Sequence, residues 1–165
     1  MRKTLSLVAF AVTVAAPNSV LAAPAAAALQ YYVGTWSCRA GTTGKLTIKS
    51  TVTYTFDSGL LREWVDVPPQ GKRATAYLNS IATSYDAEKG RYVQTGSDNL
   101  GNWWVSFAEP WTGNTEQWTN LASSDKKIRR YTWVRTNRNT YSLTEYPSRT
   151  ATKPELRATC NRSAG

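Results

Sequence analysis

Residues 45–57, KLTIKSTVTYTFD, alternate between apolar and polar side chains, and this stretch decides the class of fold. One parity carries the apolar residues, interrupted only by Ser50: Leu46, Ile48, Val52, Tyr54 and Phe56. The other parity carries lysines and threonines. Because successive side chains of a strand point to opposite faces, the pattern predicts a strand with one buried and one solvated face.

The same rhythm continues on both sides of this strand, and no long segment shows the three- and four-residue spacing of an amphipathic helix. Turn residues recur at intervals of about ten and delimit further strands. The predicted strands are 33–39, 60–67, 74–85, 91–98, 103–109, 115–121, 128–135, 140–146 and 156–161. Short antiparallel strands joined by hairpins leave open edges unless their sheet closes. The sequence therefore predicts an all-β antiparallel up-and-down barrel of about ten strands.

Residues 1–22 have the composition of a secretory signal peptide. Arg2 and Lys3 precede an apolar run at 5–16, and Val20-Leu21-Ala22 supplies small residues for cleavage near Ala22. A spanning helix needs roughly 20 apolar residues, so this run predicts no integral membrane span. We expect a secreted or periplasmic protein with an alanine-rich linker at 23–30, a short helical turn at its end, and a barrel domain at 31–165.

The two cysteines, Cys38 and Cys160, lie near the two ends of the predicted barrel. An even number of cysteines in an exported chain favours a disulfide, here between the first and last strands, although two free thiols remain an alternative. A bridge over such a long loop contributes roughly 4–5 kcal/mol in the chain-entropy model. It also requires the first and last strands to be neighbours, which supports closure of the sheet.

The chain is basic, with a formal charge of +9 that becomes +7 without Arg2 and Lys3. This balance favours anionic ligands or surfaces. The one cluster of basic residues, KKIRR at 126–130, fits either a solvated turn or an anion-binding patch. Charges on both strand parities, as at Arg129 and Arg130, do not fit a lipid-facing barrel. Export makes a nucleic-acid partner unexpected.

Several kinds of chemistry are excluded by composition. The chain has no histidine, which excludes serine–histidine and cysteine–histidine catalysis. Bridged cysteines would also exclude thiolate nucleophiles and zinc–sulfur sites. No glycine-rich phosphate loop precedes a helix, and we predict no cofactor and no metal. Carboxylates remain, and those in or next to predicted strands are Glu63, Asp98, Glu109, Glu116 and Glu145.

Residues 97–111, SDNLGNWWVSFAEPW, contain three tryptophans. Alternation places Trp103 with Val105 and Phe107 on an apolar face that we expect to line the core, and leaves Trp104 on the other face, near the rim. Asp98 and Asn99 have the character of turn residues that hydrogen-bond their own backbone. Trp111 lies in a loop, where a large aromatic side chain at a barrel mouth can cover a ligand.

Residues 32–38, YVGTWSC, resemble the start of barrels of the calycin superfamily, in which G-T-W opens the first strand. The D-N-x-G segment and the P-W turn that follows it are similar to those of secreted bacterial calycin-like proteins of unknown function. The resemblance implies a ligand-binding lumen and a structural Trp36 that packs across the closed end. Nitrobindin-type relatives bind haem through a histidine, which this chain lacks. Fatty-acid-binding relatives hold a carboxylate with arginines and a tyrosine, for which Arg62, Arg130 and Tyr131 are candidates in kind.

Together these patterns predict a secreted barrel that binds a small apolar or aromatic ligand, with an anionic group as an option. The predicted ligand-binding residues are Arg62, Trp64, Asp98, Asn99, Trp103, Trp104, Trp111, Arg130, Tyr131 and Trp133. A binding protein is favoured over an enzyme, and no catalytic residue is assigned. The alternatives are an envelope enzyme that uses an inward Asp98, Glu109 or Glu145 as acid or base, and a filled barrel that binds a partner protein.

Overall fold

The computed structural model describes residues 23–42 and 47–164, which form one helix and ten strands. The helix α1 spans Ala23–Gln30. The strands are β1 (Gly34–Gly41), β2 (Ile48–Asp57), β3 (Leu60–Val67), β4 (Tyr77–Asp86), β5 (Arg91–Asp98), β6 (Trp103–Ala108), β7 (Thr115–Ser123), β8 (Arg130–Asn137), β9 (Thr140–Tyr146) and β10 (Leu156–Arg162). The predicted signal peptide and residues 43–46 lie outside the described residues.

The ten strands form a closed antiparallel barrel in which each strand pairs with its neighbours in the chain and β1 closes the sheet against β10. The predicted fold class is confirmed. Cys38 on β1 lies directly opposite Cys160 on β10, and the two form a disulfide with a Cα–Cα distance of 4.0 Å. The covalent link therefore joins the same two strands that close the sheet.

With the exception of β6, the strands follow the predicted alternation. In β2, Val52 and Tyr54 are buried whereas Thr51 and Thr55 are exposed. Three predicted strands, 60–67, 91–98 and 140–146, have the bounds observed for β3, β5 and β9. The side chains of each strand thus divide into one set that fills the barrel and one that faces solvent.

The start of β8 differs from the prediction because a tight turn precedes it. β8 begins at Arg130 rather than Ile128. Asp125 accepts a hydrogen bond from the backbone amide of Lys127 at 3.1 Å, and Lys126 has a positive φ of 58°. This conformation bends the chain out of the extended path that a strand requires.

The segment predicted as an alanine-rich linker is the helix α1, which closes one end of the barrel. Ala25 and Leu29 are buried, and the Tyr92 hydroxyl donates a hydrogen bond to the Ala25 carbonyl oxygen at 3.3 Å. Alanine has the highest helix propensity, but a helix this short needs tertiary packing to be stable. Among the described residues, no helix is both long enough and apolar enough to cross a membrane.

Beneath α1, a cluster of aromatic side chains fills the closed end of the barrel. Tyr32 and Trp36 are almost completely buried, and the Trp36 indole Nε1 donates to the Tyr32 carbonyl oxygen at 2.7 Å. The Tyr32 ring packs edge-on against Trp133 and Tyr141 at centroid distances of 5.3 Å. Trp36 therefore has the structural position that the calycin resemblance implied.

Candidate functional site

A cavity of about 490 Å³ occupies the barrel beyond the aromatic cluster. It extends toward the end opposite α1, where the β3–β4, β5–β6 and β7–β8 loops lie. Aliphatic side chains make up much of its wall: Ile48, Val52, Val65, Val67, Ile81 and Leu143. Its volume lies within the range of roughly 300–1,000 Å³ that is typical of small-molecule sites.

The β6 strand faces the opposite way from the prediction. Ser106 and Ala108 are fully buried, so their parity points into the barrel. Trp103, on the other parity with Val105 and Phe107, is 48% exposed. The prediction that this second parity lines the core is therefore wrong.

The reason for this orientation is a close approach between two neighbouring strands. Gly96 on β5 pairs with Trp104 on β6, and a Cβ atom at Gly96 would collide with the Trp104 indole ring. Only a glycine leaves room for a tryptophan on the inner face here. On the outer face, Phe107 is covered by the guanidinium group of Arg91 at 5.0 Å.

Glu63 is a carboxyl group buried in the wall of the cavity. It lies on β3 between Leu61 and Val65 of the inner parity, and it is 7% exposed. Its paired neighbours across the sheet are Tyr54 on β2 and Ile81 on β4. The alternation of β3 thus brings an acidic side chain into a mostly apolar surface.

The environment of Glu63 favours the protonated form of its carboxyl. Burial raises the pKa of Glu63 to about 8, while a hydrogen bond from the Tyr54 hydroxyl acts to lower it. The Tyr54 and Tyr141 hydroxyls share a hydrogen bond of 3.0 Å. Within the described residues the ion pairs join Arg129 to Asp125 and Glu145, and neither pair includes Glu63. At neutral pH this carboxyl is therefore mainly uncharged and can donate a hydrogen bond.

The cavity wall formed by β5, β6 and β7 carries neutral polar groups. Gln94 donates to the Thr83 hydroxyl at 3.3 Å, and the Ser106 hydroxyl donates to Asn120 Oδ1 at 2.7 Å. Asn120 is 1% exposed, and its Nδ2 has no hydrogen-bond partner among the described residues. A buried donor without a partner is costly, and Asn120 Nδ2 is therefore a group able to donate a hydrogen bond into the cavity that it lines.

At the mouth of the cavity Arg129 lies between two carboxylates. It pairs with Asp125 in the β7–β8 turn and with Glu145 Oε1 at 3.0 Å. The hydrogen bond from Arg129 holds the pKa of Asp125 well below its usual range. Burial raises the pKa of Glu145, and the nearby Arg129 charge offsets this only in part. Arg129 is thus neutralised by the protein itself.

The D-N-x-G segment is a turn in which Asp98 bonds its own backbone, as predicted, whereas the Asn99 side chain bonds to residues 76 and 78 instead. Asp98 accepts hydrogen bonds from the backbone amides of Leu100 and Asn102, each at 2.9 Å. Partial burial acts to raise the pKa of Asp98, but these bonds and the Asn102 side chain outweigh it and lower the pKa. Asn99 accepts from the Leu78 amide at 3.1 Å and so attaches the turn to β4.

A second buried carboxyl, Glu116, lies at the closed end and outside the cavity lining. It accepts hydrogen bonds from the Tyr32 hydroxyl at 2.9 Å and from Trp118 Nε1 at 2.7 Å. Burial raises the pKa of Glu116 to about 7, and these hydrogen bonds act to lower it. Glu116, which lies on β7, therefore links this strand to Tyr32 at the end of α1.

The structure brings five of the ten predicted ligand-binding residues to the cavity: Asp98, Trp103, Trp104, Tyr131 and Trp133. Trp103 reaches only the rim. The two arginines suggested by the resemblance to fatty-acid-binding barrels both lie outside the cavity lining. Arg62 is exposed on the outer face of β3, and Arg130 stacks on the Tyr146 ring at 3.8 Å.

The other predicted residues also lie away from the cavity. Trp64 is 44% exposed on the outer face of β3, and Asn99 belongs to the turn described above. Trp111 is at the closed end rather than at the mouth. It stacks on Tyr92 with a centroid distance of 5.6 Å and lies under the Arg135 guanidinium at 4.0 Å. The β6–β7 loop that carries it is on the same side of the barrel as α1.

Sequence reasoning did not select Glu63, Tyr54, Tyr141 or Asn120 as ligand-binding residues. A signal for Glu63 is nevertheless present, because the inner parity of β3 reads Leu61, Glu63, Val65, Val67. A lone acidic residue within an apolar parity is a group that the barrel must bury.

Among the described residues, no group of three or more acidic or cysteine side chains is arranged to hold a metal ion. The described residues thus form a cavity with a largely aliphatic wall, the Glu63 carboxyl that belongs to no ion pair, and two amide side chains, Asn79 and Asn120, that each have a buried atom without a hydrogen-bond partner. Comparison with models of known protein families finds no family that matches this chain. Comparison with curated proteins finds no significant match.

Proposed function

We propose that this protein binds a small, partly apolar molecule inside its barrel. The observation that carries the proposal is the cavity of about 490 Å³, with an aliphatic wall, the Glu63 carboxyl that belongs to no ion pair among the described residues, and the Asn120 amide whose Nδ2 has no hydrogen-bond partner there. Small-ligand sites combine these two features, because apolar area supplies affinity and a few polar groups fix orientation. A filled barrel that serves only as a partner-binding module fits such a cavity less well.

The charges of the lining bear on the kind of ligand. Four carboxyl groups and two guanidinium groups line the cavity among the described residues: Glu63, Asp98, Asp125, Glu145, Arg73 and Arg129. Arg129 is paired, and Arg73 is exposed at the rim over the Tyr77 ring. The basic composition of the chain thus belongs mainly to the outer surface, and the proposed ligand carries an uncharged or cationic polar group rather than an anionic one.

We further propose that the protein is secreted or periplasmic and is a distant relative of calycin barrels. Support for export comes from the leader-like residues 1–22 and from the disulfide, which forms most readily in an oxidising compartment. Support for the relationship comes from the G-T-W motif at β1 and from a closed antiparallel barrel that is compatible with a calycin-like fold.

The test is binding of the uncharged fluorescent probe N-phenyl-1-naphthylamine to the purified protein. We expect saturable emission enhancement for the wild type. Ala158→Phe, on the inner face of β10, fills the cavity and should lower affinity about tenfold or more. Thr159→Phe places the same ring on the outer face and should change affinity little.

Thermal unfolding of each variant shows whether it is folded. If Ala158→Phe does not fold, Ala40→Phe replaces it, since Ala40 pairs with Ala158 on the neighbouring strand. Absence of saturable probe binding to the wild type would contradict the proposal. Equal affinity in the folded inner-face and outer-face variants would place the probe outside the cavity.

A second candidate function is an enzyme in which Glu63 is the general acid. The supporting observation is a carboxyl that holds a proton near neutral pH beside a cavity. Of the carboxylates first considered, Asp98 is held by its turn, Glu145 is paired with Arg129, and Glu109 is exposed. A compound recovered chemically changed from the wild type but intact from Glu63→Gln would favour the enzyme. The same intact compound from both would favour binding.

A further inference from the structure

The innermost part of the cavity combines a carboxyl group with aromatic rings. Glu63 is 7% exposed and belongs to no ion pair within the described residues. Beside it lie the hydroxyls of Tyr54 and Tyr141, which are hydrogen-bonded to each other at 3.0 Å. A buried carboxyl without a cationic partner is unfavourable when ionised, and the protein supplies no such partner here.

Aromatic rings at the same end of the cavity, linked to Glu63 through Tyr141, would also favour a positive charge. Trp133 and Tyr141 are stacked, with a centroid distance of 5.7 Å and an interplanar angle of 9°. Both line the cavity together with Tyr54. The faces of tryptophan and tyrosine rings attract organic cations, and the attraction grows when the cation is desolvated.

From these contacts we propose that the inner end of the cavity is a subsite for an organic ammonium group, which seats against the Glu63 carboxylate and the rings of Tyr54, Tyr141 and Trp133. The inference rests on the proposed ligand-binding function and specifies its ligand class as a partly apolar amine or quaternary ammonium compound. The apolar part of that ligand would lie along the aliphatic wall toward the mouth.

Binding of the cation is coupled to loss of the Glu63 proton. In the empty cavity the carboxyl is mainly protonated at neutral pH, and an ammonium ion stabilises only the ionised form. Seating of the ligand therefore converts the carboxylic acid to a carboxylate and releases its proton to solvent. The titratable groups beside Glu63 are Tyr54 and Tyr141, and burial raises the pKa of both hydroxyls, so they keep their protons over the range in question.

The other charged groups of the lining lie toward the mouth: Arg73, Asp98, Asp125, Arg129 and Glu145. Three of them form the Arg129 ion pairs, and Asp98 is bound in its turn. The raised pKa of Glu145 makes it the group besides Glu63 whose titration could contribute near neutral pH. A variant that removes Glu63 alone separates the two contributions.

The experiment compares two probes of the same shape, phenyltrimethylammonium and its uncharged carbon isostere tert-butylbenzene. Both are titrated as competitors of N-phenyl-1-naphthylamine, and the cation is also titrated alone by calorimetry. For the wild type at pH 9 we expect the cation to bind at least about tenfold more tightly than the isostere. Below about pH 8 the affinity of the cation should fall by about tenfold for each pH unit, because Glu63 takes up a proton there. The quaternary ammonium group has no proton to lose, so the pH dependence reports on the protein alone.

Glu63→Gln keeps the shape of the side chain and removes its charge. We expect this variant to lose both the preference for the cation and its pH dependence, while its affinity for tert-butylbenzene changes by less than about threefold. Asp66→Asn is the matched control, since it removes one carboxylate from the exposed face of the same strand. It should behave as the wild type does.

Three outcomes would overturn the inference: equal affinities of the two probes for the wild type, a cation preference retained in Glu63→Gln, or a loss of preference in Asp66→Asn. If the fluorescent probe and tert-butylbenzene bind but the cation is not preferred, the ammonium subsite is wrong and the ligand-binding function stands. If none of the three compounds binds the wild type, both proposals fail.

Discussion

At the scale of single residues, Glu63 makes the stability of the barrel depend on pH. Its pKa is about 8 in the folded protein and near 4.5 in the unfolded chain. Between these values the unfolded state has lost the proton that the folded state keeps, so the free energy of unfolding falls as pH rises. The contribution of the Glu63 proton to the free energy of unfolding is most favourable below about pH 4.5 and is fully lost above about pH 8.

Glu63→Gln should therefore stabilise the protein at alkaline pH and have little effect in acid. We expect similar free energies of unfolding for the wild type and the variant at pH 4.5. At pH 9 the variant should be more stable by an amount on the order of 4 kcal/mol, since one pKa unit corresponds to about 1.4 kcal/mol. Urea unfolding at a series of pH values measures this difference.

Glu116 titrates in the same direction, with a pKa of about 7, but it is present in both proteins and cancels in the comparison. A difference between the variant and the wild type that stays constant from pH 4.5 to pH 9 would show that the Glu63 carboxyl is not desolvated in the folded protein.

At the scale of elements, the helix α1 is the part whose packing can be tested most directly. Leu29 is 1% exposed against the aromatic cluster, whereas its neighbour Gln30 is exposed. Leu29→Ala improves helix propensity but removes buried methyl groups, and we expect a net loss of about 2–5 kcal/mol. Gln30→Ala should change stability by less than about 0.5 kcal/mol. Denaturant midpoints that are the same for Leu29→Ala and the wild type would mean that α1 does not close the barrel in solution.

The strands could be predicted from sequence because each needs only local information. The alternation around Val52 and Tyr54, with short turns on either side, fixes a half-buried strand without knowledge of its neighbours. The closure of the sheet followed from two cysteines near its ends. The helix at 23–30 was underestimated, since alanines show no amphipathic pattern and its stability comes from packing on residues such as Tyr92.

The inward face of β6 could not be predicted from its own sequence, because the more apolar parity is the outer one. Local sequence favours the parity of Trp103, Val105 and Phe107 as the inner one, whereas the structure turns Trp104, Ser106 and Ala108 inward. The choice depends on Gly96 of the neighbouring strand, whose effect requires the register between the two strands. The same limit applies to the site. Glu63, Tyr54 and Tyr141 come from β3, β2 and β9, and only the closed barrel brings them together.

At the scale of the whole molecule, the disulfide constrains the unfolded chain more than it alters the folded one. Cys38 and Cys160 are 122 residues apart in sequence. A Cys38→Ala, Cys160→Ala double variant should therefore lose about 5 kcal/mol of stability, chiefly because its unfolded state gains freedom. Urea unfolding with and without a phosphine reductant provides the measurement. The reductant should lower the unfolding midpoint of the wild type and leave that of the double variant unchanged. A wild-type midpoint that is the same with and without the reductant would contradict the expectation.

The disulfide has a further consequence for proteolysis, because it joins the strands that close the sheet. The covalent loop from Cys38 to Cys160 contains β2 to β9 entirely, and β1 and β10 lie side by side. A single cut by a protease in any of the hairpins between them produces two new ends but no separate fragment. The two pieces are then held together by the hydrogen bonds between β1 and β10 and by the disulfide. The nicked protein thus resembles a circular permutant of the same barrel: it has new ends at the cleaved turn, and its two pieces stay joined through the disulfide until the disulfide is reduced.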